Sequence, residues 1–370
     1  MNKEVDGSKQ FNVNQAFENI VNYEEMFVVQ TDDNKLEIHA NAEVQDAIQV
    51  ISIVQHIKQL SDLEGKLDGL YVLDKKGNYR PSNTTLHKLL STLQHTINLD
   101  ERYDVPEINA FVEAVKKHVP QHQLTYLQEP VFWKMDQSTP ITSLRVGLVK
   151  ADFVNNIVNQ VWKLTQTPAY KQTLQNRLER SNNQFQKGMK LINELFDLRC
   201  KLLIIREDFA LKAETNLSLT DLKKLMSKFL KKILVNMGEL QGIEGYIWKL
   251  EYGVQKGYHY HCIFFMDGSK HSKDSYYAQK LGELWKKVTD DQGIFHNCNA
   301  SKFKYRNLAI GCISHDDEVA RKNLEIVMSY LSKTDQFLME KTLKKYRVFG
   351  TSTRQIEKSQ SGRPRGNLRN

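Results

Sequence analysis

The sequence predicts an α+β protein: a mainly helical first half, then a domain with a central antiparallel sheet flanked by helices. Three observations carry this. Apolar residues recur at helical spacing through the first 190 residues, and strand-like runs take over from Cys200. The order after Cys200 reads strand, helix, strand, strand, helix, strand, helix. Two of those strands, IEGYIWKLEYG and YHYHCIFFMDG, are joined by a short loop holding Gly253 and Gly257, a hairpin signal.

Taken in order, residues 1–14 are polar. MFVVQ and KLEIHA read as a hairpin about the turn signal Thr31-Asp32-Asp33-Asn34. Helical spacing follows at 43–60, 83–99 and 106–118, the last with Pro106 near its first turn. Segment 120–141 holds three of the seven prolines and reads as a connector. Residues 152–198 read as two helices with a break near Pro168. KLLIIRED is an apolar run ending in charge, the pattern of a buried strand. Residues 219–240 form an amphipathic helix that Ser218 or Thr220 can cap. A helix at 274–289, a strand in NLAIGCIS and a helix over 317–333 complete the order. This divides the chain into a helical region at 1–190, a domain at 195–353 and a basic tail at 354–370.

Composition narrows the class. No run approaches the roughly 20 apolar residues of a membrane span, and the polar start does not read as a signal peptide. Cys200, Cys262, Cys298 and Cys312 are scattered without CxxC spacing, which fits a reducing cytoplasm and speaks against a disulfide framework. The net charge of +8 is concentrated at the C-terminal end: residues 341–370 hold nine basic residues and one acid. Such a tail suits a polyanion such as DNA, and equally a solvated extension.

Chemistry concentrates late in the chain. On a strand, His259 and His261 point to one face, and neutral imidazole is a common ligand for divalent metals. An HxH pair alone is also compatible with two partly exposed strand histidines. A loop over Tyr252–Tyr258 sets Glu251 opposite His259 on the same face. Two imidazoles and a carboxylate with open positions suit Mg²⁺ or Mn²⁺ acting as a Lewis acid on a phosphodiester. Further on, Tyr330 and Lys333 stand at i and i+3 of a helix and share a face, beside an apolar stripe of Leu324, Val327, Met328 and Leu331. A phenol is a weak nucleophile unless a neighbouring cation or metal favours its phenolate.

IIRED, an acid ahead of HYH, then YxxK, in this order, resembles the HUH endonucleases. More closely, it is similar to the single-tyrosine rolling-circle replication initiators of filamentous phages (inoviruses) and prophage elements. FGTS at Phe349–Ser352, followed by basic residues, also looks like the end of that family, and the resemblance covers roughly Leu195–Thr353. Tyr260 departs from the pattern, which has an aliphatic residue between the histidines. The resemblance implies metal binding by Glu251, His259 and His261. It implies that Tyr330 attacks the scissile phosphate and becomes joined to the 5′ end of the nicked strand, with Lys333 assisting by charge or proton transfer. Arg206 and Asp208 match the family's R-x-D, either as DNA contacts or as the floor of the site. Lys344, Lys345, Arg347 and Arg354 follow the tyrosine helix as candidate phosphate contacts, which bring salt-dependent affinity rather than sequence reading.

The expected function is therefore metal-dependent nicking and joining of single-stranded origin DNA, starting rolling-circle replication of a phage or mobile element. Two alternatives stand beside it: a relaxase- or transposase-like nuclease with the same site, and a non-catalytic DNA-binding regulator with the same fold. The chain holds no GxxxxGK[ST] phosphate loop. A host helicase, polymerase and single-strand-binding protein are thus the expected partners, with no membrane partner.

Overall fold

The computed structural model describes residues 26–30, 36–40, 42–60, 69–93, 99–119, 129–141, 147–235, 238–253, 257–305, 307–337 and 340–353. The chain forms two units, one from Met1–Glu179 with Thr334–Lys345, the other from Arg180–Lys333 with Tyr346–Asn370.

In the first unit, β1 (Met26–Gln30) and β2 (Leu36–Ala40) pair antiparallel, with Met26 opposite Ala40. Their expected turn at 31–34 lies outside the described residues. Helices α1 (Ala42–Lys58), α4 (Pro106–His118) and α6 (Lys150–Gln166) pack through Val50, Val54, Phe111, Val154 and Ile157. The expected helix at 83–99 is α2 (Thr84–Ser91), capped by the Asn83 carboxamide oxygen accepting from Leu86 N at 2.8 Å; α3 (Leu99–Arg102) is separate. A two-stranded ladder of β3 (Tyr71–Leu73) and β4 (Tyr79–Pro81) was not foreseen. Each of its strands has three residues, too few to show a period of two. A short helix α5 (Pro130–Lys134) interrupts the expected connector. Lys344 of the returning segment pairs with Asp104 at 2.8 Å.

The break at Pro168 is present: α6 ends at Gln166 and α7 (Pro168–Leu198) begins on the proline, where its missing N–H costs no helical bond. The long α7 runs from one unit into the next.

The second unit is built on β5 (Lys201–Leu211), which pairs antiparallel with three strands. One partner is β7 (Gly257–Asp267), itself hairpinned to β6 (Ile243–Gly253). The others are β8 (Gly293–Asn297) and β9 (Gly311–Ser314), while β10 (Phe349–Thr353) closes the far edge on β6. Neither β8 nor β10 was expected as a strand. β8 has a single buried residue, Gly293, so its sequence carries little apolar pattern. In β10, Gly350 sits where a Cβ would strike the Trp248 ring at 2.5 Å, so packing rather than propensity sets that residue.

Period-two alternation splits the sheet into two faces. One bears Phe209, Phe264 and Tyr260, and is covered by α8 (Leu219–Leu234) and α9 (Asp274–Val288) through an aromatic cluster of Phe209, Phe229, Phe264 and Trp285. Ser218 caps α8, reciprocated by Asp221 in a capping box. The helix stops at Leu234, short of the expected 240; Gly238, at φ +72°, opens a separate turn of 3-10 helix over Gly238–Leu240. The other face bears Ile247, Lys249, Glu251, His259 and His261. On that face, Gly188 of α7 meets both Ile247 and Met328 of α10 (Glu318–Phe337).

One group on the aromatic face is costly. Glu207 is fully buried, and neither carboxylate oxygen has a hydrogen-bond partner among the described residues. Burial, and secondarily the charge of Asp208, pushes its pKa up to about 10. Folded, it keeps a proton that the unfolded chain releases above about pH 4.3. Stability therefore falls as pH rises through that window, by up to about 1.4 kcal/mol per pH unit. Glu207→Gln is expected to flatten this decline between about pH 5 and 9 in urea unfolding. Parallel pH profiles for the two chains would show that Glu207 is not held neutral.

Candidate metal centre

The hairpin register sets the site. Glu251 lies directly across from His259, and Lys249 across from His261. Opposite residues share a face, so the three candidate ligands converge; their ligand atoms lie within 4.8 Å of one another, and all three residues are buried. On the other side of β7, Asp208 of β5 lies opposite His261.

Hydrogen bonds determine which imidazole nitrogens face inward. The Nδ1 of His259 lies 3.0 Å from the carbonyl oxygen of Gly257, which can only accept. The Nδ1 of His261 lies 2.6 Å from Oδ1 of Asp208, a carboxylate that accepts. Both Nδ1 atoms are therefore the N–H donors, and in neutral rings both Nε2 atoms carry lone pairs. Those Nε2 atoms stand 3.1 Å apart, with Oε2 of Glu251 at 3.6 Å from that of His261. Two such nitrogens and a carboxylate oxygen turned toward one another form a donor set that a cation can join.

The spacing suits a metal as that cation. Two nitrogens each about 2.1 Å from an ion and at right angles would be roughly 3.0 Å apart. The residues Glu251, His259 and His261 could hold such an ion, and Asp208 supplies the outer carboxylate that fixes a ligating histidine's tautomer and ring plane.

Arg206, the other half of R-x-D, is buried, with Nε 3.9 Å from Oδ1 of Asp208 and its guanidinium over the Tyr305 ring at 5.8 Å. Its backbone N–H donates to Oδ1 of Asn299 at 2.8 Å. This pair thus forms a wall behind His261. The Cys298 thiol beside them is pushed up to about 12, first by burial and then by the charge of Asp208.

Sequence reasoning passed over two neighbours. Lys249 is fully buried on the histidine face, and its ammonium donates to Oε1 of Gln184 at 3.2 Å. The register that placed Glu251 places Lys249 too, so its position was readable. His296 lies opposite Asp208 on β8 and lines a cleft of about 720 Å³ with Asp208, His259, Tyr258 and Ser218. No sequence signal marked it, because β8 itself was not foreseen.

Tyr330 stands on α10 beside Val327 of the buried stripe and is itself buried, at 8% exposure. Lys333 lies one turn further along α10, and its side chain lies outside the described residues. Arg347 is exposed in the second unit, its guanidinium 5.5 Å over the Trp248 ring and its Nε donating to Phe349 O at 2.9 Å. Lys344, paired with Asp104, and Lys345 belong to the first unit. Arg354 and the basic tail lie outside the described residues. Among the described residues, no helix is long and apolar enough to cross a membrane.

Comparison with protein-family models matches residues 163–352 to the family described as the YagK/YfjJ C-terminal domain. Among curated proteins and among solved structures, nothing matches the chain.

The Asp208 contact predicts a measurable effect on ion affinity. Mn²⁺ titrated calorimetrically into the chain is expected to bind about 10–100-fold more weakly to Asp208→Asn than to wild type, and not measurably to His261→Ala. Equal affinity in wild type and Asp208→Asn would remove Asp208 from the site.

Proposed function

We propose that this protein, which belongs to the YagK/YfjJ C-terminal domain family, is a metal-dependent single-strand DNA nicking and joining enzyme. It acts through a covalent 5′-phosphotyrosine, in the manner of HUH rolling-circle initiators, and works in the cytoplasm on a phage or mobile element. The observation that carries this reading is the convergence of the His259 and His261 Nε2 atoms with Glu251, backed by Asp208. The family's occurrence in prophage-associated proteins suits it.

The metal, Mg²⁺ or Mn²⁺, would supply Lewis-acid polarisation of a nonbridging phosphate oxygen. Glu251, His259 and His261 would hold it, and Asp208 would keep His261 in the ligating tautomer. Tyr330 is the nucleophile. Met328 of its helix and Ile247 on the histidine face of the sheet both lie beside Gly188 of α7. The phenolic oxygen loses its proton and bonds to phosphorus as the bond from phosphorus to the 3′ oxygen breaks. That oxygen takes up a proton and leaves as a 3′-OH, which can prime a polymerase. Lys333, on the same helical face, favours the phenolate by its charge. The phosphotyrosine conserves the bond energy, so the 3′-OH of the copied strand can reverse the step and reseal. Arg206 and Asp208 thus serve the site rather than the DNA, while Arg347, Lys345 and Arg354 remain proposed phosphate contacts.

Wild-type chain mixed with single-stranded origin DNA and Mn²⁺ is expected to give a protein–DNA adduct on a denaturing gel. Tyr330→Phe and chelated wild type are expected to give none. An equal yield from Tyr330→Phe would remove the nucleophile assignment, and DNA binding without any adduct would favour a non-catalytic regulator.

A further inference from the structure

Helix α8 spends its apolar stripe on the sheet: Leu222, Met226, Phe229, Leu230 and Ile233 are buried. Its outer side is nearly all lysine. The helix carries Lys223, Lys224, Lys228, Lys231 and Lys232 against one acid, Asp221, which is engaged in the Ser218 cap and 3.3 Å from Lys224. The lysines border a shallow groove of about 680 Å³, closed on one side by Tyr346. The Lys223 ammonium sits 4.2 Å from the centre of the Tyr346 ring, a cation–π contact at the edge of the groove.

We infer that this lysine-lined groove on α8 binds the phosphate backbone of duplex DNA. Charge and spacing support this occupant. Lys224, Lys228 and Lys232 recur every four residues, about 6 Å apart along the axis. A duplex strand presents one phosphate per about 3.4 Å of its axis, so a row of three lysines can meet several phosphates of one strand. A bilayer surface is disfavoured because the helix has no spare apolar face to insert; Val235 alone is a large exposed hydrophobic residue on the groove. A single strand would call for several stacking rings, and among the described residues the groove offers Tyr346 alone.

The groove also has a direction. Ser218, Leu219 and Leu222, at the start of α8, wall the cleft that holds Asp208, His259 and His296. Thr220 and Lys223, on the same turns, begin the lysine groove. A duplex lying along α8 would deliver its unpaired end to the histidine cleft. This extension rests on the DNA reading of the metal centre; the lysine surface as a duplex contact stands without it.

The test uses the full chain and a fluorescent duplex oligonucleotide, with anisotropy read between about 50 and 200 mM salt. For the triple variant Lys224→Gln, Lys228→Gln, Lys232→Gln, affinity is expected to fall at least tenfold. The slope of log K against log salt is expected to lose up to about 2.7, at 0.9 per phosphate contact. Lys190→Gln, at an exposed lysine of α7 that does not line the groove, is expected to bind the duplex as wild type does. Unchanged affinity and slope in the triple variant would overturn the inference. So would a loss of binding to phosphatidylserine vesicles with duplex binding intact, or a loss in Lys190→Gln as large as in the triple variant. A lysine effect on duplex binding in a chain that forms no tyrosine adduct would support the groove and sink the nicking reading alone.

Discussion

The hydrogen bond from His261 to Asp208 is the contact on which the site depends. At 2.6 Å it commits the Nδ1 of His261 to donation and turns Nε2 toward His259. The Gly257 carbonyl does the same for His259. Without these two acceptors either ring could flip its tautomer, and one Nε2 could simply donate to the other. With them, neutral rings turn two Nε2 lone pairs toward the Glu251 carboxylate in a buried space, an arrangement that could hold a cation.

The sheet exists in the form that makes this possible. Antiparallel pairing of β5, β7 and β6 puts Asp208, His261 and Lys249 in one row, with His259 and Glu251 in the next. A slip of one residue in the β6–β7 register would turn Glu251 away, and a slip in β5–β7 would bring Glu207 or Phe209 to His261 instead of Asp208. The register is held from the opposite face. There Phe209, Phe264, Phe229 and Trp285 interlock, and a shifted strand would put polar side chains into that cluster. The aromatic side thus fixes the geometry of the histidine side.

Much of this was legible in the sequence. The hairpin signal at Gly253 and Gly257, with a parity rule, was enough to set Glu251 against His259. The break at Pro168 followed from the proline's missing N–H. Asp208 was noticed through R-x-D, but its partner was not, because pairing between β5 and β7 crosses some 50 residues and no local pattern states which strands adjoin. β8 and β10 escaped for a related reason: they are short edge strands whose residues, His296 or Gly350 among them, are set by what they lie beside. The α8 segment reads as an amphipathic helix, and the sequence singles out none of its lysines. Only the groove they share with Tyr346, 114 residues beyond Lys232 in sequence, distinguishes them.

The two Nε2 atoms and the Glu251 carboxylate could hold one cation, and the histidine nitrogens can be observed directly. Long-range proton–nitrogen NMR of the chain labelled with ¹⁵N-histidine reports each ring's tautomer. The account predicts that His259 and His261, assigned by single substitutions, show protonated Nδ1 and that both Nε2 signals shift when Mg²⁺ is added. Nε2 protonation on both rings, unchanged by Mg²⁺, would contradict it.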